Sequence, residues 1–156
     1  MRWHIYKIHT FDYVIEGIFK ECEKTLPNEA SGYLIGMFSI WNGKHFILID
    51  NYIPVESHST EYYGEMDITS IGEALRKFMK SFGDTKHLII GWYHSHPGYG
   101  IFISDIDLRT QTTFFTQPFH VALVVDPINR EYGFFKTSDN RKSILRASFA
   151  IWRKRV

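Results

Sequence analysis

Hydrophobic residues recur along this chain with two periods, and each change of period marks an element. Arg2 to Ile8 reads as a short strand; Phe11, Val14, Ile15, Ile18 and Phe19 then fall at helical spacing, with Thr10 as the expected N-cap. Pro27 forces the residue before it out of helical geometry, which ends this helix by Leu26 and leaves Glu29 near the start of a strand. Tyr33 to Trp41 and Phe46 to Pro54 are β-rich runs joined across Asn42-Gly43, a pair that tolerates the positive φ a two-residue hairpin turn demands. Val55 to Glu65 is polar and irregular, the longest predicted loop. Ile68, Ile71, Leu75, Phe78 and Met79 then mark a second amphipathic helix that closes before Gly83.

His87 to His96 predicts a further strand, with Leu88, Ile89, Ile90 and Trp92 as its apolar content and Pro97-Gly98 as its stop. After the loop Gly98 to Ile103, Ser104 or Asp105 can cap a helix running to about Phe115. Phe119 to Val125 reads as strand, turned by Asp126-Pro127 into Glu131 to Lys136; Ile144 to Trp152 fits helix or strand. No repeat, linker or low-complexity tract interrupts the pattern, so residues 1–156 are expected to form one α/β or α+β domain, a sheet flanked by helices.

Composition narrows the classes. A hydrophobic share of 44% with 22% charged residues is ordinary for a packed globular core. The net charge of +1 gives no basic footprint for nucleic acid, and the cationic cluster Arg153, Lys154, Arg155 is short enough to be a solvated end. No apolar run approaches the ~20 residues of a membrane helix, and Met1 to His9 lacks a signal-peptide pattern, so a soluble cytoplasmic protein is expected. The single cysteine, Cys22, excludes an internal disulfide and any thiolate cluster.

Candidate chemistry concentrates in His94-Ser95-His96-Pro97, six residues, Ser104, two residues, Asp107. Alternate side chains of a strand share a face, so His94 and His96 project together while Ser95 points away. If Ser104 caps the next helix, Asp107 falls in its first turn, where the helix dipole favours a carboxylate aimed back at the strand end. Two imidazoles and a carboxylate suit zinc, and three protein ligands leave a fourth position for water, the mark of a catalytic site. The same trio also matches the facial triad of non-haem iron oxygenases. Hydrolysis needs a proton shuttle, and Glu29 is the upstream candidate for general base and general acid. Ser104 is either an oxyanion donor or only a helix cap. The remaining histidines, His4, His9, His45, His58, His87 and His120, read as isolated core or surface residues.

These residues resemble the JAMM (MPN+) metalloprotease family, whose motif is an upstream glutamate followed by H-x-H-P, six residues and S-x-x-D; every position is filled here. The run Gly91 to Gly100 is similar to that of the family's deubiquitinating and deneddylating subunits, and the likeness continues through Thr110-Gln111 and Val124 to Pro127. Upstream, Pro27 to Gly36 resembles the family's glutamate-bearing strand, which selects Glu29 over Glu21, Glu23 or Glu61. Coverage runs from about Ile8 to Phe135.

The resemblance implies a mixed, curved sheet with flanking helices in a cytidine-deaminase-like sandwich, one catalytic zinc on His94, His96 and Asp107, and Glu29 and Ser104 as catalytic residues. It implies cleavage of the isopeptide bond between a ubiquitin or ubiquitin-like C-terminus and a lysine. The modifier's tail would add as a strand beside the loop Val55 to Glu65, which holds Val55, Glu56, Tyr62 and Tyr63. Tyr99, Ile101 and Phe102 would form the other wall. The chain ends soon after its core, without the family's long helical extensions or its second, cysteine-containing zinc site, so a stand-alone enzyme on a ubiquitin-like or sulfur-carrier-like modifier is expected. Trimming of a linear extension from a sulfur-carrier-like protein is the alternative activity, and a non-catalytic binding module the alternative class. Association as a dimer or with another protein is left open.

Overall fold

The chain runs through β1 (Lys7–Phe11), α1 (Asp12–Lys24), β2 (Ser31–Trp41), β3 (Lys44–Val55), α2 (Ile68–Phe82), β4 (Leu88–Ser95), α3 (Asp105–Phe114), β5 (Val121–Asp126), β6 (Glu131–Thr137), β7 (Ile144–Ala147) and β8 (Phe149–Trp152). This is a computed structural model, and it describes residues 6–56, 68–138 and 140–153. Residues 2–5 of the first expected strand and 57–65 of the expected long loop, including Tyr62 and Tyr63, lie outside the described residues.

The strands form one eight-stranded mixed sheet in the order β7-β6-β5-β4-β2-β3-β1-β8. β7 and β8 stand at opposite ends of that order, yet only Ser148 separates them in the chain. β7 pairs antiparallel with β6 and β8 pairs parallel with β1, so this short segment bridges both edges and the sheet has to curl to let it do so. Ile144 to Trp152, readable either way from its sequence, is thus extended. The hairpin follows expectation: Asn42 and Gly43 take φ of 51° and 73°, and β2 and β3 pair from Trp41↔Lys44 back to Ser31↔Val55.

Alternate residues of the sheet serve two cores. On one side Val14, Ile15, Ile18, Phe19 and Cys22 of α1 pack against Ile8, Leu34, Ile47, Ile49, Ile90 and Tyr93. On the other, Ile71, Ala74, Phe78 and Phe82 of α2 pack with Tyr33, Ile35, Ile53, Trp92, Ala122 and Val124, joined by Phe115 at the end of α3. Each isoleucine buried in these layers contributes about 1.5–3 kcal/mol of transfer free energy. Helices therefore cover both faces, and no helix among the described residues is long and apolar enough to cross a membrane.

Thr10 does not cap α1. It belongs to β1 opposite Ile49, and its buried hydroxyl donates to the Ile49 carbonyl at 3.1 Å; Phe11 takes the N-cap position without a side-chain bond. Parallel pairing of β1 with β3 holds Thr10 in the strand and pairing with β8 carries it on to Phe11, and a local cap worth about 1 kcal/mol does not outweigh those ladders. Antiparallel pairing of β2 with β4 sets Ser31 opposite His94, and parallel pairing of β4 with β5 sets Ser95 beside Val125. These two registers position the site.

Candidate metal centre

His94 is the second-last residue of β4 and His96 lies just beyond its end. Strand alternation sends both toward the Trp92 face, where the ring of His94 packs 5.7 Å from that of Trp92. Ser95 points the opposite way and clamps the entry to β2: its Oγ accepts from the Ala30 N–H at 2.7 Å, and its own N–H donates to the Ala30 carbonyl at 2.9 Å. Glu29, one residue upstream, is held beside the histidines by this clamp. On α3, Ser104 caps the helix through a full capping box: its Oγ accepts from the Asp107 N–H at 3.1 Å, and its N–H donates to the Asp107 carboxylate at 3.0 Å. Asp107 is therefore oriented by the start of its own helix.

These side chains converge. His94 Nε2 lies 3.4 Å from Glu29 Oε2 and 3.5 Å from Asp107 Oδ1, and His96 Nε2 lies 3.1 Å from Asp107 Oδ2. Ligand atoms of Glu29, His94 and His96 all fall within 4.8 Å of one another. Bonds of ~2.0–2.1 Å in a tetrahedral zinc site set ligand atoms roughly 3.3–3.4 Å apart, and the observed separations bracket that spacing. Both Nδ1 atoms are buried without a hydrogen-bond partner among the described residues, while both Nε2 atoms face the shared centre. The cluster of Glu29, His94 and His96, with the Asp107 carboxylate against both imidazole Nε2 atoms, fits a divalent transition ion such as zinc.

The two carboxylates differ in setting. Asp107 is 1% exposed. Its burial pushes its pKa up, but the hydrogen bond with His96, the charge of His94 and the Ser104 N–H outweigh that, and the carboxyl ends below its usual range. The Glu29 side chain keeps 21% of its surface open to solvent.

Of the expected substrate residues, Phe102 lies at the site, its ring 4.6 Å from that of His96. Tyr99 is exposed, Ile101 is half-buried against Gly133, and Glu56 is exposed just after β3. Val55 is buried in the core on the α2 side. The structure adds residues that sequence reasoning left unassigned. Ser95 is the clamp for Glu29, and Gln111, fully buried, accepts from Trp92 Nε1–H at 2.6 Å and so ties α3 to β4. Gln111 sits one turn beyond Asp107, at the i+4 position on the same helix face, and that spacing was the available signal.

Comparison with known proteins agrees with this geometry. The chain is 38% identical over 120 residues to COP9 signalosome complex subunit 5 of Candida albicans, an alignment covering 70% of this chain and 19% of that protein. The subunit 5 of Caenorhabditis elegans is 37% identical over 118 residues, covering 70% of this chain and 31% of its own length. The chain thus spans about a fifth to a third of these curated relatives. In fold it is similar to the solution structure of a Desulfitobacterium hafniense protein, with a TM-score of 0.68, 20% identity and 94% of each chain covered. Residues 5–117 match the family described as JAB1/Mov34/MPN/PAD-1 ubiquitin protease, and with the His-His-carboxylate cluster in place the chain belongs to that family.

Proposed function

We propose that this protein is a zinc-dependent isopeptidase that hydrolyses the bond between the C-terminus of a ubiquitin or ubiquitin-like modifier and a lysine of its target. The observation that carries this reading is the approach of two carboxylates of unequal exposure to one imidazole nitrogen, His94 Nε2, with Asp107 also against His96 Nε2. Asp107, buried and fastened by its capping box, suits a fixed ligand alongside His94 and His96; Glu29, open to water and clamped only through its backbone neighbour, suits a proton carrier. His94, His96 and Asp107 would hold the zinc, which would supply a Lewis acid and make water acidic enough to give up a proton near neutrality. Glu29 takes the proton of the attacking water and later delivers it to the departing lysine amine. Ser104 Oγ, which accepts from Asp107 N–H, still has its own proton to donate to the oxygen that gains charge in the transition state.

The curved sheet with helices on both faces supports assigning the fold to the cytidine-deaminase-like sandwiches. The names of the relatives, subunits of a signalosome complex, support a protein partner for this chain as well as a protein substrate. The test uses zinc-loaded protein with an isopeptide-linked conjugate and a linear fusion of the same modifier. We expect cleavage of the conjugate that a chelator abolishes and added zinc restores. Cleavage of the fusion alone replaces the substrate, and cleavage of neither removes the isopeptidase.

A further inference from the structure

The wall of the site that carries Tyr99, Ile101 and Phe102 is shaped by a carboxylate that belongs to neither histidine strand nor α3. Asp126, the last residue of β5, is 0% exposed, and its two oxygens accept five hydrogen bonds. Oδ1 takes Gly98 N–H at 2.9 Å, Ile128 N–H at 3.0 Å and Asn129 N–H at 3.1 Å; Oδ2 takes Gly100 N–H at 3.0 Å and Asn129 Nδ2 at 2.8 Å. Two of these donors lie in the turn directly after His96, where Gly98 and Gly100 adopt φ of +79° and +84°. The residue before it on β5 completes the grip, since the Val125 carbonyl accepts from His96 N–H at 2.8 Å.

Two of the five bonds close the turn that follows β5, and the Gly98 and Gly100 bonds go beyond it. No cation pairs with Asp126 among the described residues, and burying an ionised carboxylate is costly unless every lone pair is occupied. What the charge achieves is to hold alternate amides of a tight, glycine-bearing turn in one arrangement. That turn leads straight into Ile101, packed on Gly133, and Phe102, packed on His96. Within the loop Tyr99 N–H donates to the His96 carbonyl at 3.1 Å, and the Asp126 carboxylate adds the bonds to Gly98 and Gly100 that fix the wall against β5.

We infer that Asp126 is a positioning residue: its carboxylate moulds the turn Gly98–Gly100 so that Tyr99 to Phe102 stand as a preformed wall for the extended tail of the modifier. This rests on the isopeptidase reading for its substrate, but its structural half does not. In Asp126→Asn one oxygen is replaced by an NH2 group facing N–H donors, so the turn loses hydrogen bonds at no change in size. With zinc-loaded protein, amide exchange of Gly98 and Gly100 should quicken at least tenfold while zinc content stays at one per chain. KM for the conjugate should rise about tenfold with kcat within threefold of wild type. Asn129→Ala, which removes one of the five bonds at a distance from the site, should give a smaller shift of the same kind, and it guards against misfolding of the first variant. Unchanged exchange at Gly98 and Gly100 overturns the proposal, as does a fall in kcat that follows lost zinc with KM unaltered. If wild-type protein cleaves no conjugate, the substrate reading fails, and the amide exchange still decides whether Asp126 holds the wall.

Discussion

Ser104 offers the sharpest separation of structure from chemistry, because its one oxygen is asked to do two things. It accepts the Asp107 N–H as helix cap, and it is the proposed donor to the developing oxyanion. Replacement of an N-cap serine by alanine costs about 1 kcal/mol, and by glycine only a few tenths. For a chain of this length each kcal/mol moves the melting temperature by about 2–4 °C. Ser104→Ala should therefore melt about 2–4 °C lower, Ser104→Gly about 1 °C lower, and Ser104→Thr near wild type. Loss of an oxyanion donor costs about 10²–10³ in kcat, whereas a 1 kcal/mol loss of stability leaves nearly all molecules folded. The alanine and glycine variants should thus share one large loss of kcat despite unequal melting points, and threonine should retain activity. Thermal melts by circular dichroism, zinc content and steady-state cleavage of the conjugate measure all three quantities. A glycine variant with near wild-type kcat, or a kcat that tracks melting temperature across the series, would refute the donor role and leave Ser104 a cap.

Glu29→Gln should keep its zinc and lose at least 10²-fold in kcat, whereas His94→Ala and Asp107→Ala should lose the metal, as elemental analysis would read. A Glu29→Gln protein that comes out metal-free would instead make Glu29 a ligand. Gln111→Leu leaves the buried Trp92 N–H without its 2.6 Å acceptor, and urea unfolding should show a loss of about 1–3 kcal/mol; no loss would mean that another group replaces the amide. Lys136 is buried without a carboxylate partner among the described residues, and burial alone pulls its pKa from 10.5 down to about 8. The unfolded chain then binds more protons than the folded one between those values, so the cost of the ammonium is full below pH 8 and fades toward pH 10.5. Lys136→Met should be the more stable protein below pH 8, by on the order of 2 kcal/mol after loss of the bond to the Tyr6 carbonyl, with the difference shrinking as pH rises. Buried Cys22 and Tyr93, whose thiol and phenol are pushed up, act with the opposite sign but cancel between the two proteins. A difference that does not vary with pH would show that folding leaves the Lys136 pKa unshifted.

What was legible in the sequence follows the distance over which each feature is decided. His94, His96, Ser104 and Asp107 sit on one strand, loop and helix in succession, so period-two alternation and a capping box suffice to aim them at one point. Glu29 reaches the same point only through Ser31↔His94 pairing across 63 residues, and no local pattern distinguished it from Glu21 or Glu23; the family resemblance did. The misplaced cap at Thr10 and the undecided segment Ile144 to Trp152 share a cause. Each is settled by strand pairing beyond its own segment, Thr10 with Ile49 of β3, β7 with β6 and β8 with β1, and these ladders outweigh local propensity. Asp126 shows the same rule at the site itself. As a strand-ending Asp-Pro it reads as turn chemistry, and it does bind Ile128 and Asn129 N–H in that turn. Its other lone pairs reach Gly98 and Gly100, 28 and 26 residues back, because β5 lies beside β4. The metal ligands are thus local and readable, while the groups that hold the walls around them are products of sheet order. It follows that substitutions in the motif should abolish the metal or the chemistry, whereas those at Ser95, Gln111 and Asp126 should change binding and stability first.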